Sequence, residues 1–478
     1  MTVVVTGRDL SRDALVRVAR DGEGVALDEG AAARMTETRS ILEAALAAGT
    51  PIYGSSTAVG VLKRVAVEGD AAVAYANRVL RTHAVGQGEP APPDVVRGTM
   101  LRLANAFAEG SPGVRPALAE RLVDALNAGE APAVRTLGSI GQADLAQMAD
   151  LGLATFADLP LEAGEGLAVL GSNAFATAAA ALAIADAERL VLTMEVAGAL
   201  SLEGLAARPT LLDPAIGDVR PYPGLKASLE RLGRLLDGSA LHDPSTPRNL
   251  QDPLTFRNLP HLQGACRDVL AHVDAQLAVE LNASQGNPIV VAGAGEPGRV
   301  ISVANFEILP LAVALDYLRL VLASALAAGA ERTVKLLETT WTGLPTGLTP
   351  SADPSDPGLA YWGIAVQSLT AEARLLAQPV AHDVVSTAHA EGIEDRATHA
   401  PLAARRLAEQ VAVGERIAGL ELGAAAQAAE LRGNALGAGT ARGLALVRDA
   451  LPFLAAGDAV PDAEPLVAAV RSGRFAAL

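Results

Sequence analysis

A single cysteine in 478 residues, Cys266, leaves no intramolecular disulfide and no multi-cysteine metal site. Aromatic residues make up only 3% of the chain while half of it is apolar, so alanine and leucine must fill the core. That composition favours close-packed helices over sheets. Lysine is nearly missing: Lys63, Lys226 and Lys335 stand alone, and arginine supplies the remaining positive charge. A net charge of −16 argues against a nucleic-acid backbone or an anionic membrane as partner. The opening residues, Met1 to Thr6, lack the basic region and long apolar core of a secretory signal. The one long uncharged run, 166–185, contains Ser172, Asn173 and Thr177 and is expected to be a helix buried in a bundle, not a membrane span. Together these features predict a soluble, cytoplasmic protein.

Along the chain, Val3 to Val5 is strand-like and the rest of the first fifty residues reads as helix. Two amphipathic helices are expected between Asp94 and Asn127, broken at Gly110-Ser111-Pro112-Gly113. A long apolar helix is expected from Pro310 to Glu338, and amphipathic helix from Pro401 to the end. Two regions are expected: residues 1–200, with loops, helices and a few short strands, and residues 201–478, a helical bundle. The glycines at 293, 295 and 298 satisfy a dinucleotide-binding pattern, but Pro297 and a β-branched run follow where a helix should open. A hairpin-like turn is the better reading.

The densest motif is Gly138-Ser139-Ile140-Gly141-Gln142-Ala143-Asp144, a small-residue loop feeding an apolar periodicity, with Asp144 placed to cap the following helix. Other polar segments surround it in sequence. They are Tyr53-Gly54-Ser55-Ser56-Thr57-Ala58-Val59-Gly60; Thr82-His83-Ala84-Val85-Gly86; Glu165 to Asn173; Gln251 to Gly264, with Arg257; Asn305-Phe306; and Glu394-Asp395. Taken one at a time they are weak. A lone histidine is more often packing than chemistry, and a Glu-Asp pair is usually solvated. His382, His389 and His399 fit no zinc spacing.

In order and spacing, these segments resemble the histidine/phenylalanine/tyrosine ammonia-lyase family from Tyr53 to about Glu415. The resemblance implies a mainly α, long-helix-bundle fold and a homotetramer whose active sites collect loops from three subunits. It implies Tyr53 as the base removing a β-proton, Arg257 as the clamp on the substrate carboxylate, and Glu394 as an acid/base or amine contact. It also places His83, Gln251, Asn305 and Phe306 at the substrate. A phenol serves as a base only if neighbouring donors or positive charge lower its pKa, and the amides of a glycine-rich loop are the expected source.

The family's electrophile, methylidene-imidazolone (MIO), forms by cyclisation of an Ala-Ser-Gly triad. Here Gln142-Ala143 stand in its place, Gly171 replaces an asparagine that contacts it, Leu254 replaces a tyrosine, and Glu307 replaces a histidine that follows the family's Asn-Phe pair. No MIO is therefore expected, and Gln142 is expected to face the site. Asn173 reads as a helix-cap amide. The leading expectation is an MIO-independent, lyase-like enzyme on a small carboxylate substrate, carrying out elimination, addition, isomerisation or cyclisation. The alternatives are a non-catalytic binding or assembly protein on the same fold and an aromatic amino acid or histidine ammonia-lyase with an unrecognised electrophile, while hydrolysis through Ser55-Ser56 lacks a convincing base.

Overall fold

The structure is a computed structural model that describes residues 2–293, 297–382 and 389–478. It is mainly α, as alanine and leucine dictate, with long helices at Ala174–Leu205, Leu259–Asn282, Leu309–Leu336 and Ala400–Arg432. Among the described residues the strands form three separate pairs. Thr2–Val5 runs parallel to Gly24–Leu27, Gln87–Pro90 antiparallel to Arg135–Leu137, and Ile289–Val291 antiparallel to Arg299–Ile301. Gly24–Leu27 falls where helix was expected; Val25 is buried there and pairs with Val3. The last pair flanks the glycine-rich segment as a hairpin would, although residues 294–296 lie outside the described residues.

The expected helix from Pro401 onward is interrupted. Gly433 takes φ +70° after Arg432, and the chain resumes at Ala438–Ala450 and Glu464–Arg471, with Pro452 and Pro461 between them. The expected pair around 110–113 is present as Pro93–Glu109 and Pro116–Asn127. Glu165–Leu205 and Leu309–Leu336 are long and apolar enough to cross a membrane, but 89% and 61% of their most apolar windows are buried inside the protein.

The residues fall into two compact units, each assembled from three stretches of chain. The first comprises Met1–Ala185, Val273–Leu315 and Pro379–Arg405; the second comprises Asp186–His272, Asp316–Gln378 and Arg406–Leu478. In the second, an apolar core is crossed by buried ion pairs. Arg332 donates to both oxygens of Glu421 at 2.6 and 3.0 Å, and Ser201 donates to the same carboxylate at 2.9 Å. Cys266 is buried there, and burial pushes its thiol up to about 12, which fits packing and not reactivity.

In the first unit the Gly138–Asp144 turn is fixed by Asp144. The helix Leu145–Thr155 starts immediately after it, but the carboxylate makes no bond to that helix. It accepts instead from the Ala176 amide at 2.8 Å, at the start of Ala174–Leu205, and from Ser139 Oγ at 2.9 Å. The expectation of a cap on its own helix is therefore corrected: Asp144 caps a helix thirty residues away in sequence. Its own amide donates to Ser172 O at 3.0 Å, locking the two segments together. Burial raises its pKa to about 6, opposed by the hydrogen bonds from Ala176, Ser139 and Phe175.

Two predictions follow from these buried charges. Arg332→Met leaves Glu421 buried without its partner and should cost about 3–5 kcal/mol. Adding Glu421→Leu should recover much of that loss, as read from urea midpoints. For Asp144, the folded carboxyl holds its proton up to about 6 against 3.8 in the ordinary case. Its contribution is therefore fully present below the lower value and lost as pH rises through the upper one. Wild type should lose up to about 3 kcal/mol relative to Asp144→Asn between about pH 4 and 6, with a level difference above. Denaturation at stepped pH checks this.

Candidate active site

A cavity of about 750 Å³ lies in the first unit. Tyr53, His83, Gln142, Phe306 and Glu394 all line it, so five segments distant in sequence supply one wall each. Asn305 is exposed to solvent and does not contribute to the lining, because its neighbour Phe306 takes the inward position. Arg257 and Gln251 belong to the second unit. There Arg257 Nε donates to the Asp252 carbonyl at 2.8 Å, and among the described residues its guanidinium has no carboxylate partner. Gln251 is exposed.

The loop carrying Tyr53 is held by its own backbone: Ile52 O accepts from the amides of Ser55, Ser56 and Thr57. Gly54 makes the approach possible. Its φ is +74°, and a Cβ there would sit 2.1 Å from Leu167 Cδ2. The Tyr53 hydroxyl accepts from the Gly60 amide at 2.9 Å, and the Tyr75 hydroxyl accepts from the adjacent Val59 amide at 2.8 Å. Two phenols are thus anchored on consecutive amides. The Gly60 amide lowers the Tyr53 pKa, as a glycine-rich loop was expected to do, but burial outweighs it and the charge of Glu394 adds to the rise. Tyr53 therefore titrates above the ordinary 10, contrary to the expectation of a lowered value. Tyr75 is also raised, by burial first and then by Tyr53, against the Val59 amide and Arg78.

The Gly138–Asp144 turn and the Glu394 segment are tied to one another. Ile140 O accepts from the amides of Thr398 and His399, and Thr398 Oγ1 donates to Gly141 O at 2.8 Å. A Cβ on Gly141, whose φ is +81°, would lie 2.2 Å from that hydroxyl. Ala143, at φ +58°, closes the turn in a conformation an alanine rarely takes. Gln142 and Glu307 form a backbone bridge, and Gln142 Nε2 donates to Glu307 Oε2 at 2.8 Å. Arg396 Nε reaches the same oxygen at 3.3 Å, while Glu307 Oε1 accepts from the Leu309 amide. Asn173 holds the position before the helix, its carbonyl accepting from the Thr177 amide, but its side-chain amide does not cap: Ser172 Oγ takes the Ala174 amide, and Asn173 Nδ2 donates to Phe306 O at 3.0 Å. Its Oδ1 is buried without a hydrogen-bond partner.

The helix Asp70–His83 presents Tyr75, Arg78 and Thr82 to the cavity at i, i+3 and i+7, with His83 after them. His83 Nδ1 meets Val79 O at 2.8 Å; a carbonyl only accepts, so Nδ1 carries the proton and Nε2 remains for a ligand. Tyr75 and Arg78 escaped the sequence reading because they precede the recognisable segment. Their signal is the helical spacing back from Thr82, four and seven residues. Among the described residues no group of histidine, cysteine and carboxylate side chains could hold a metal ion.

A family model for aromatic amino acid lyases matches residues 10–449. The chain is 32% identical over 504 aligned positions to a histidine ammonia-lyase of Symbiobacterium thermophilum, covering all of this chain and 98% of that one. It is 31% identical to a histidine ammonia-lyase of Alkaliphilus metalliredigens over 95% of this chain and 93% of the relative. Among solved structures, an ergothioneine-degrading ergothionase of Treponema denticola, bound to desmethyl-ergothioneine sulfonic acid, superposes with a TM-score of 0.93 at 29% identity over 99% of both chains. A histidine ammonia-lyase of Trypanosoma cruzi superposes at 0.90 and 25%, covering 99% of this chain and 94% of that one. The chain belongs to the aromatic amino acid lyase family.

Proposed function

We propose that this protein is an MIO-independent carbon–nitrogen lyase that eliminates an already good leaving group, a quaternary amine, from an amino-acid-like carboxylate. Tyr53 is the base, Glu394 the amine contact and Arg257 the carboxylate clamp. The observation that carries this reading is the pairing of a half-buried Tyr53, its pKa raised by that burial, with the charge of Glu394.

MIO does not fit these residues. Its exocyclic carbon comes from a serine that loses its hydroxyl, and neither Gln142 nor Ala143 has a β-oxygen to lose. The loop's own serine, Ser139, commits its hydroxyl to Asp144 and accepts from the Gly141 amide at 3.0 Å. Gln142 is committed to Glu307. No step is therefore routed through such a group. Without an electrophile to activate it, a primary amine is a poor leaving group, and covalent activation commonly supplies several tenfold factors of rate at about 1.4 kcal/mol each. A quaternary ammonium departs as a neutral amine and needs no such help.

The same charge prepares the base. Before substrate binds, Tyr53 is protonated at neutral pH because burial and Glu394 both oppose phenolate. A cation about 5 Å from the phenol, at an effective dielectric of about 20, favours phenolate by about 3 kcal/mol, or about two decades in acidity. The aromatic side chains of Tyr53 and Phe306 line the cavity and suit an alkylammonium group. The substrate's positive charge then lowers the pKa of the group that takes its β-proton, and loss of the amine removes that charge and releases the product.

Ergothioneine, a trimethylammonium betaine, and trimethylated histidine are the first substrates to test, against the corresponding primary amines. Release of an unsaturated acid, followed by ultraviolet absorbance, should occur with the former. Tyr53→Phe should lower kcat by at least about a hundredfold with affinity unchanged. Binding without turnover by wild type would support the non-catalytic alternative, and an intact mass two waters short would overturn the MIO-independent reading. We also propose that Arg257 acts within a homotetramer. Mixing Tyr53→Phe and Arg257→Gln subunits should then recover activity that neither variant shows alone, whereas no recovery would place both residues in one subunit's site.

A further inference from the structure

We propose that Tyr75 is a positioning residue for the base: its hydroxyl holds the Val59–Gly60 segment from outside the Tyr53 loop and so places the amide that meets the Tyr53 oxygen. This deepens the reading above, because it takes Tyr53 as the base. Tyr53 and Gly60 lie seven residues apart in one loop, and the Gly60 amide donates to the Tyr53 hydroxyl at 2.9 Å. That bond ties the tip of the loop to its start. The neighbouring amide ties the tip to the framework: Val59 N–H donates at 2.8 Å to the hydroxyl of Tyr75, on the helix Asp70–His83. Val59 is extended, at φ −114° and ψ 168°, so its amide and that of Gly60 point to opposite sides of the chain. The two phenols therefore grip one short segment from two sides.

The tip needs such a support. Behind it Ala58 and Val67 are buried, but Val61 and Leu62 at the tip are exposed. The carbonyls of Val59 and Gly60 accept from the Leu62 and Lys63 amides, within the same turn. Lys63 pairs with Glu391 at 3.0 Å, yet Glu391 is 59% exposed and such pairs contribute little. The helix, by contrast, is firmly seated. Asn77 exchanges two hydrogen bonds with Leu161, at 2.7 and 3.0 Å, and a Cβ on Gly166 would sit 2.2 Å from Ala76 O. Tyr75 is buried, and Arg78 lies over its ring, 5.6 Å from the centroid, so one face is covered and the oxygen is what it offers the loop. A donated hydrogen bond favours phenolate only while the amide stays in line with the oxygen. Held from the Tyr75 side, the Gly60 amide is in place before Tyr53 gives up its proton, and the loop has no ordering left to do at that moment.

Hydrogen exchange on the full chain, resolved to single amides, tests this without turnover. Release at Tyr75 exposes both amides, whereas release at Tyr53 exposes only that of Gly60. In wild type, Gly60 should therefore exchange at least as fast as Val59 once intrinsic rates are corrected. Tyr53→Phe should free Gly60 alone. Tyr75→Phe, which keeps the ring and loses only the oxygen, should speed both amides at least about tenfold although the Tyr53 hydroxyl remains. Unchanged exchange along Asp70–His83 shows that the variant is folded; if it is not, the wild-type order still decides. With a betaine substrate, Tyr75→Phe should lower kcat at least about tenfold and leave KM unchanged, because Tyr75 acts on the base and not on the substrate. A Gly60 amide slower than Val59, release of Val59 alone by Tyr75→Phe, or a raised KM at undiminished kcat would overturn the proposal. Absence of lyase activity would overturn the function proposed above and leave the exchange result standing.

Discussion

Everything in the first unit's site depends on one buried carboxylate. Asp144 is fully buried, and an isolated charge there would be costly. It is retained because the Ala176 amide and Ser139 hydroxyl are aimed at it and its own amide is tied to Ser172. The turn from Gly138 is thereby fixed against the start of a 32-residue helix. Once that turn is rigid, its outward carbonyls become a template. Ile140 O and Gly141 O receive the Thr398 and His399 amides and the Thr398 hydroxyl, which sets where the Glu394 segment can run. The course of the Glu394 segment is thus tied to Asp144 through the hydrogen bonds of this turn.

Local constraints were legible in the sequence, and long-range ones were not. The Tyr53 loop could be read because its requirement is local: Gly54 must be glycine to pass Leu167. The long helices could be read because alanine and leucine specify them at every position. Asp144 was misassigned because capping rules see only the next turn of chain, whereas its partner, Ala176, is brought near by tertiary packing. The same limit hid Tyr75 and Arg78, whose importance comes from facing the cavity and not from belonging to a motif. Of the adjacent pair Asn305 and Phe306, only the second turns inward, a distinction of side-chain direction that residue identity does not carry. Direction also decided the phenol: the amide donor was anticipated, but the depth of burial that outweighs it was not.

Gln142 and Glu307 looked in the sequence like two separate departures from the lyase pattern, 165 residues apart. The structure makes them one. Their backbones bridge, the Gln142 amide donates to the Glu307 carboxylate, and Arg396 approaches the same oxygen. An amide at 142 facing an imidazole would have one hydrogen bond at most and no charge to attract Arg396. A carboxylate at 307 without the amide would keep only Arg396, at 3.3 Å, on its second oxygen. Each residue therefore gives the other its physical purpose, and Glu307 Oε1 carries the pair on to the Leu309 amide at the start of a 28-residue helix. Where the resemblance would place the covalent electrophile, this chain has a hydrogen bond between Gln142 and Glu307 that acts as a strut. A strut keeps the cavity wall rigid and the Glu394 segment in place, but it contributes no electron sink. In the mechanism proposed above, the chemical burden falls on the charge that the ligand brings with it.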